Sequence, residues 1–304
     1  MPGTVKSKRG RLPPEFKQRL SLNPARQRVG ATLERLGLDT VCRSAGCPNC
    51  NRCYSEGTAT FLIMGPDCTR RCAFCAVPKG RPARLDPGEP EAVARAVLEL
   101  DLCYAVVTSV TRDDLPDGGA GHFARTVAAI RRARPGTPVE ILIPDFNGDE
   151  RALRTVADSE PEVLNHNMET VPRLYPAVRP QADYRRSLKV LAMSRQAGLA
   201  TKSGLMVGLG ESPEEVRLLL DDLAGAGCGA VTVGQYLAPS PNHRPIERFW
   251  SRDEFRDLGE YGRERLGLLV SAGPLVRSSY GAAELFRSMK KTPKEANKRQ
   301  QRRA

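Results

Sequence analysis

The sequence predicts an α/β protein built as a partial (β/α)6 TIM-like barrel, with an N-terminal cysteine-rich extension and a C-terminal tail. Six short apolar runs alternate with helix-like stretches along the 304 residues, and the first run leads directly into a group of cysteines. Such alternation favours a parallel sheet with helices packed outside it. Eight units are not available, so the barrel is expected to be incomplete.

The predicted strands are short and are separated by segments long enough for one helix each. In chain order they are ATFLIMG, YAVVTSV, PVEILIP, EVLNHN, SGLMVGLG and GAVTVGQY.

The predicted helices carry apolar residues at spacings of three, four and seven, which places one apolar stripe along each helix. The stripes are Val93, Val97 and Leu100; Phe123, Val127 and Ile130; Tyr184, Leu188 and Leu191; and Val216, Leu219, Leu220 and Leu223. Ser212 and Glu215 form a capping box with Pro213 at the first helical position, which predicts where the last of these helices begins.

This pattern divides the chain into three segments. Residues 1–57 form the cysteine-rich extension, residues 58–272 the barrel, and residues 273–304 a C-terminal motif and basic tail.

The net charge of +12 is concentrated at the two ends of the chain. Residues 1–28 carry eight Lys or Arg against Glu15, and residues 290–304 carry seven against Glu295. The body is therefore close to neutral, which favours solvated, mobile basic tails over a nucleic-acid-binding surface.

Cysteine usage and hydropathy predict the compartment. The sequence has no apolar run long enough to cross a membrane, no apolar h-region at its N-terminus, and an odd count of nine cysteines. Secretion and membrane insertion thus lack support. A reducing, cytoplasmic setting is expected, in which clustered cysteines usually bind metal.

Seven of the nine cysteines lie within the 34 residues from Cys42 to Cys75. Cys68, Cys72 and Cys75 follow the first predicted strand, where a barrel places its active-site loops. Three thiolates can hold an iron-sulfur cluster and leave one iron open to a cofactor. The spacing C-x3-C-x2-C, with Phe74 before its last cysteine, resembles the signature of radical S-adenosylmethionine (SAM) enzymes. The alternative is a zinc knuckle or a set of buried thiols.

The upstream cysteines are ambiguous by themselves. Cys42, Cys47, Cys50 and Cys53 could close a four-cysteine zinc site without help from the rest of the chain,.

From about Leu36 to Leu285, however, the chain closely resembles the lipoyl synthases. The resemblance rests on the blocks GTATFLIMGPDCTRRCAFC, TSVTRDDLPDGGAGHF, NHNMETVPRLYPAVRP, DYRRSLKVL, TKSGLMVGLGE, TVGQYLAPS and GPLVRSSY, in family order. Cys42, Cys47 and Cys53 match the C-x4-C-x5-C that marks the family, and Cys50 is an extra cysteine inside it.

The resemblance implies two 4Fe-4S clusters, one of them binding SAM. Cys68, Cys72 and Cys75 would hold the radical SAM cluster. Cys42, Cys47 and Cys53 would hold an auxiliary cluster whose fourth iron is bound by a serine of the Arg277–Tyr280 motif. We assign that ligand to Ser279, with Ser278 as the alternative.

The reaction that the resemblance implies is the insertion of sulfur at carbons 6 and 8 of an octanoyl chain attached to a lysine of a carrier domain. The auxiliary cluster would be the sulfur donor and would be consumed. A serine oxygen is a hard ligand that iron should release more readily than thiolate.

Other residues are weaker candidates for cofactor contacts. Gly118 and Gly119 in DGG could meet the methionine end of SAM or simply form a turn. Asn165, with His166 and Glu169, stands at the end of the fourth predicted strand and is expected to point into the site. Lys202 could bind a carboxylate or lie on the surface.

Three further arginine and cysteine residues complete the sequence-based expectations. Arg277 could position the serine loop or contact substrate. Cys103 and Cys228 are expected to be small buried residues.

The expected partners are octanoylated lipoyl carrier domains, such as the E2 subunits of 2-oxoacid dehydrogenases and the H protein of glycine cleavage, together with an electron donor such as ferredoxin or flavodoxin. No nucleic acid or membrane partner is expected. Two alternatives remain: another sulfur-inserting radical SAM enzyme, such as a methylthiotransferase or a biotin-synthase-like protein, and a zinc-knuckle module that binds nucleic acid.

Overall fold

The fold is seen in a computed structural model that describes residues 13–16 and 23–301, with side chains to residue 291. Of the residues expected to form solvated basic tails, 1–12, 17–22 and 302–304 lie outside these ranges. Where the structure does describe the C-terminal tail, it continues the last helix as far as Gln301.

One eight-stranded sheet forms the centre of the molecule, with its strands hydrogen-bonded in chain order. The strands are β1 (Asp39–Thr40), β2 (Thr60–Ile63), β3 (Ala105–Ser109), β4 (Val139–Leu142), β5 (Val163–Asn165), β6 (Ala200–Val207), β7 (Ala230–Gln235) and β8 (Leu269–Gly273). Strands β2 to β8 run parallel, and β1 pairs antiparallel with β2.

The six predicted strands correspond to β2 through β7 and are confirmed as an open, barrel-like parallel sheet. Two strands were not predicted. The two-residue β1 is too short to show a pattern, and β8 is only half-buried along most of its length, so it lacks the apolar run of a buried parallel strand.

Eleven α-helices are present among the described residues, and the longer ones cover the outer face of the sheet. They are α1 (Pro24–Arg35), α2 (Val41–Ser44), α3 (Cys50–Ser55), α4 (Glu89–Glu99), α5 (Ala120–Ala133), α6 (Glu150–Ala157), α7 (Tyr175–Val178), α8 (Tyr184–Gln196), α9 (Pro213–Gly225), α10 (Arg252–Tyr261) and α11 (Ala282–Gln301). Short 3-10 helices span Pro14–Phe16, Phe146–Gly148 and Pro172–Leu174, and a π-helical turn spans Gly262–Leu266.

The predicted stripes on α4, α5 and α9 are buried, whereas on α8 Leu191 is buried and Tyr184 and Leu188 are only half-buried. Helix α9 illustrates the agreement, because Val216, Leu219 and Leu223 are fully buried. Its start is also as predicted, with Ser212 and Glu215 making both hydrogen bonds of the capping box.

The C-terminal segment packs inside the open sheet. Phe286 near the start of α11 lies 5.4 Å, ring centroid to centroid, from Tyr104 just before β3. Both rings belong to a small apolar cluster that also contains Val106 and Val163. The chain between β8 and α11 is thereby brought to the inner face of the sheet.

Among the residues that the structure describes, no helix is both long and apolar enough to cross a membrane.

Candidate active site

A cavity of about 760 Å³ opens on the inner side of the sheet. Both groups of predicted cluster ligands line it. They are Cys42, Cys47 and Cys53 from the extension, Cys68, Cys72 and Cys75 from the loop after β2, and Ser279 from the loop between β8 and α11. Residues almost 240 positions apart in sequence therefore meet at one place.

The loop after β2 folds so that backbone N–H groups point at sulfur. Cys68 Sγ accepts hydrogen bonds from the N–H groups of Arg70 (3.5 Å) and Thr111 (3.3 Å). The sulfur of Cys75 is hydrogen-bonded to the backbone of Val77. Donors of this kind stabilise the negative charge of thiolates that bind an iron-sulfur cluster.

Arg70, which lies between two of the cysteines, anchors this loop to the sheet. Its buried guanidinium bonds both oxygens of Asp113, at 2.8 and 2.9 Å, and also Asp145 at 2.7 Å and Asn147 at 2.7 Å. Although burial alone would raise the pKa of Asp145, the Arg70 guanidinium holds that pKa below its usual range. The network was not predicted, because the charge–charge partners come from different β/α loops.

The auxiliary loop is built from two short helices. Cys42 lies in α2, which begins at the cap Thr40, and the N–H of Cys47 donates to the Cys42 carbonyl at 3.1 Å. Cys53 lies one turn into α3, where its N–H donates to the carbonyl oxygen of Asn49. The local turns thus place three sulfurs on the same cavity wall.

The auxiliary loop is also tied to the segment that carries the serines. The Asn49 amide donates to the carbonyl oxygen of Leu275 at 2.6 Å, and the Arg52 guanidinium lies 5.3 Å from the centre of the Tyr280 ring. Ser278 and Ser279 both line the cavity, but Ser278 Oγ donates to Asn167 Oδ1 at 2.9 Å, whereas none of the hydrogen bonds among the described residues uses the Ser279 hydroxyl. This difference favours Ser279 over Ser278 as the ligand.

The donor set fits iron-sulfur clusters. Burial raises the pKa of Cys42 to about 11, of Cys53 to about 12 and of Cys75 to about 11, so these thiols keep their protons until a metal replaces them,. Among the described residues, no three Cys, His, Asp or Glu side chains converge on the position of a single ion. Around a 4Fe-4S cluster each thiolate binds a different iron, so wider spacing is expected than around one zinc.

Three polar or charged side chains also line the cavity, and we call them the polar wall: His166, Glu169 and Arg277. His166 donates from Nδ1 to the Ile143 carbonyl at 2.9 Å, which leaves its Nε2 without a described partner. Burial lowers the pKa of His166 to about 4, so the imidazole is neutral. Burial also raises the pKa of Glu169 and lowers that of Arg277, and these two groups lie close enough to interact.

Of the predicted cofactor contacts, Glu169 lines the cavity, whereas Gly118 and Gly119 are absent from its described lining. The two glycines form a turn at the start of α5 with φ values of 60° and 91°. A Cβ on Gly119 would stand 2.2 Å from the Met64 sulfur. These contacts explain the glycines structurally, and their contact with SAM stays a prediction.

Asn165 and Lys202 are also absent from the described lining of the cavity. Both are buried and bind Glu140, from Asn165 Nδ2 at 3.2 Å and from Lys202 Nζ at 2.8 Å. The alternative of a surface lysine is wrong, because only 1% of the Lys202 side chain is exposed. Their contact with cofactor stays a prediction.

The remaining cysteines divide into three cases. Cys228 is buried, as predicted, whereas Cys103 is exposed at the cavity edge, so the prediction of burial is wrong there. Cys50 is absent from the described lining of the cavity, and its thiol lies close enough to interact with Cys47, Arg43 and Tyr54.

Comparison with known proteins identifies the class first. The radical SAM superfamily model matches residues 62–223, which span β2 to α9. The fold is similar to that of Streptococcus suis SuiB bound to S-adenosylmethionine, with a TM-score of 0.56 and 12% identity over 74% of this chain and 54% of that one. The chain is a radical SAM enzyme with a partial barrel.

Relatives in sequence then define the family. The chain is 52% identical to lipoyl synthase of Mycolicibacterium gilvum (strain PYR-GCK), over 91% of this chain and 87% of the relative. It is 51% identical to lipoyl synthase of Nitratidesulfovibrio vulgaris (strain DP4), over 92% and 94%. The chain belongs to the lipoyl synthase family. It is a sulfur-inserting transferase that uses SAM and two 4Fe-4S clusters, and the zinc-module alternative is set aside.

Proposed function

We propose that this chain inserts two sulfur atoms, at carbons 6 and 8, into an octanoyl group attached to a lysine of a lipoyl carrier domain. The observation that carries the proposal is the convergence of six cysteines and Ser279 on one cavity. Its three parts would be the extension 1–57, the barrel 58–272 and the C-terminal segment 273–304, and we place the reaction in the cytosol, where thiols stay reduced.

Cys68, Cys72 and Cys75 would hold the cluster that binds SAM. When bound, this pair of groups supplies a 5′-deoxyadenosyl radical able to take hydrogen from an unactivated carbon. The N–H groups of Arg70 and Thr111 would compensate the charge on the Cys68 thiolate. The buried network around Arg70 would keep the loop in one position against the sheet.

Cys42, Cys47, Cys53 and Ser279 would hold the auxiliary cluster, which is the sulfur substrate. Because the hydroxyl of Ser278 is hydrogen-bonded to Asn167, the hydroxyl of Ser279 is the better placed of the two for iron. Its hard oxygen would be displaced more easily than a thiolate as sulfur leaves.

The polar wall would orient the cofactor and would hold protons at defined atoms of its side chains. Glu169 offers carboxylate oxygens, one of which already accepts from Asn167 Nδ2 at 3.0 Å. The neutral His166 offers an unpartnered Nε2 as an acceptor. Arg277 supplies positive charge on the same wall.

Lipoyl carrier domains are the substrates that membership of this family implies. Among them we propose octanoylated E2 subunits of 2-oxoacid dehydrogenases and the H protein of glycine cleavage. A low-potential donor such as ferredoxin or flavodoxin would supply the electrons.

The test is anaerobic turnover of the reconstituted enzyme with SAM, dithionite and a peptide that contains an octanoylated lysine. We expect 5′-deoxyadenosine together with a peptide that has gained two sulfur atoms, read by mass spectrometry. A peptide that gains one sulfur atom at most would contradict the proposal. So would sulfur found on a different peptide supplied as a competitor, and either result would favour another sulfur-inserting radical SAM enzyme.

A further inference from the structure

Lys202 in β6 forms a buried ion pair on the inner face of the sheet. Its Nζ lies 2.8 Å from Glu140 Oε1, and both side chains are 1% exposed. A charged pair withdrawn from water is tolerated only when its remaining hydrogen-bonding groups are satisfied. The partners of the pair should therefore reveal its purpose.

Those partners tie the sheet to the C-terminal segment. Glu140 accepts from the Tyr104 hydroxyl at 2.8 Å and from Asn165 Nδ2 at 3.2 Å. The Lys202 ammonium also donates to the carbonyl oxygen of Ser278 at 2.5 Å, across 76 positions of sequence. The buried lysine thus holds the backbone next to Ser279.

Two glycines in neighbouring strands let this backbone approach. A Cβ on Gly204 in β6 would stand 2.6 Å from Ser278 Oγ, and a Cβ on Gly234 in β7 would stand 2.0 Å from the Val276 carbonyl oxygen. A side chain at Gly234 would push the backbone of this segment off the sheet, and one at Gly204 would displace the Ser278 hydroxyl. Residues 276–279, which we call the serine loop, are therefore seated directly against the strands.

We infer that Lys202, paired with Glu140, is a positioning residue that seats the serine loop against the sheet whether or not iron is bound. The inference rests on the proposed function in one respect: seating the loop matters to the enzyme because Ser279 is proposed to bind iron. An oxygen ligand that binds iron weakly benefits most from such support. If the Lys202 contact already orders the loop, none of the free energy of the serine–iron bond is needed to order it. When the serine–iron bond opens, the hydroxyl would stay at the cavity wall.

The test is hydrogen exchange, read by mass spectrometry, in peptides that cover the serine loop. It compares wild type with the double variant Lys202→Met/Glu140→Gln, which removes the ammonium without stranding a buried carboxylate. The matched control is Lys189→Met/Glu150→Gln, which removes an exposed pair of the same type and the same 2.8 Å separation. All three proteins are compared with clusters and after iron removal.

In iron-free wild type and in the control, we expect the serine loop to remain protected. In the iron-free double variant it should exchange about tenfold faster, while peptides from β3 and α5 stay unchanged. A second readout uses the triple variant Cys68, Cys72 and Cys75→Ala, which should hold only the four irons of the auxiliary cluster. Adding Lys202→Met/Glu140→Gln to this triple variant should make it lose these irons to a chelator severalfold faster. If the double variant does not fold, Gly234→Ala serves as a second variant, since its added Cβ would meet the Val276 carbonyl oxygen and displace the backbone of the loop.

Equal exchange of the serine loop in iron-free wild type and in the variants would overturn the inference. So would a wild-type loop that is protected only when iron is bound. The outcome is separable from the proposed function: if Ser279→Ala retains full iron and normal sulfur insertion, the ligand assignment fails, whereas the exchange result still decides the role of Lys202.

Discussion

At the scale of single residues, the site depends on how each sulfur is surrounded. Cys68 and Cys75 receive backbone hydrogen bonds, which prepares them to carry negative charge. Cys50 differs because it is absent from the described lining of the cavity, although its thiol interacts with Cys47 as well as with Tyr54. Position alone would not separate these cysteines, because the sequence places Cys50 three residues from two expected ligands.

The first residue-scale prediction concerns the cluster that binds SAM. The triple variant Cys68, Cys72 and Cys75→Ala should keep about four irons per chain and produce no 5′-deoxyadenosine. Wild type should hold about eight irons per chain after anaerobic reconstitution. The measurements are iron and sulfide content and chromatography of the cleavage product, and any 5′-deoxyadenosine from the triple variant would show that the open iron lies elsewhere.

The second prediction compares Cys50 with Cys47. Cys50→Ala should keep full iron content and support sulfur insertion, because Cys50 is absent from the described lining of the cavity. Cys47→Ala should abolish insertion yet leave SAM cleavage intact. Iron, 5′-deoxyadenosine and lipoyl product are measured for both variants side by side, and matching behaviour would make Cys50 a ligand and reopen the assignment of Ser279.

At the scale of elements, the turn after β6 depends on close backbone packing. Gly208 has φ of 99°, and its N–H donates to Glu211, which also accepts from the Trp250 indole at 3.0 Å. A Cβ on Gly208 would stand 2.7 Å from the Arg248 carbonyl oxygen. This turn therefore joins β6 to the segment that leads into α10.

The element-scale prediction is that Gly208→Ala destabilises the fold by about 1–3 kcal/mol more than Gly136→Ala does. Gly136 is the matched control, because its φ of 83° is similar but nothing lies within 4 Å of an added Cβ. The unfolding free energies come from urea titration under anaerobic conditions. Equal losses in the two variants would mean that the positive φ alone, and not the contact with Arg248, sets the cost.

At the scale of the whole molecule, stability should depend on the neutral state of buried His166. Its folded pKa of about 4 lies below the ordinary value of 6.5, so between these pH values only the unfolded chain binds the proton. Stability is therefore lost as pH falls from about 6.5 to about 4, by up to about 3 kcal/mol from this group.

The prediction is that His166→Asn reduces this dependence, since an amide nitrogen can replace Nδ1 near the Ile143 carbonyl but does not titrate. Urea unfolding of wild type and variant between pH 4 and pH 8 provides the measurement. The difference between the two proteins should be constant above pH 7 and should shrink in acid. A difference that does not vary with pH would contradict a buried neutral imidazole.

The sequence by itself determined the local features of this protein. The apolar runs of β2 to β7, the stripes of the long helices and the capping box of Ser212 depend on neighbours within a few residues, so spacing reveals them. The same holds for the two groups of cysteines, because the members of each group lie close together in sequence.

Only the tertiary structure decided which distant groups meet. It brought Ser279 beside cysteines of the extension, gave Lys202 the carbonyl of Ser278 as a partner, and turned Asn165 toward Glu140 instead of the cavity. It also exposed Cys103, and it placed Arg70 among carboxylates from other loops. The physical reason is that burial and pairing of a polar group depend on the closure of the sheet around it, which joins residues whose separation in sequence carries no periodic signal.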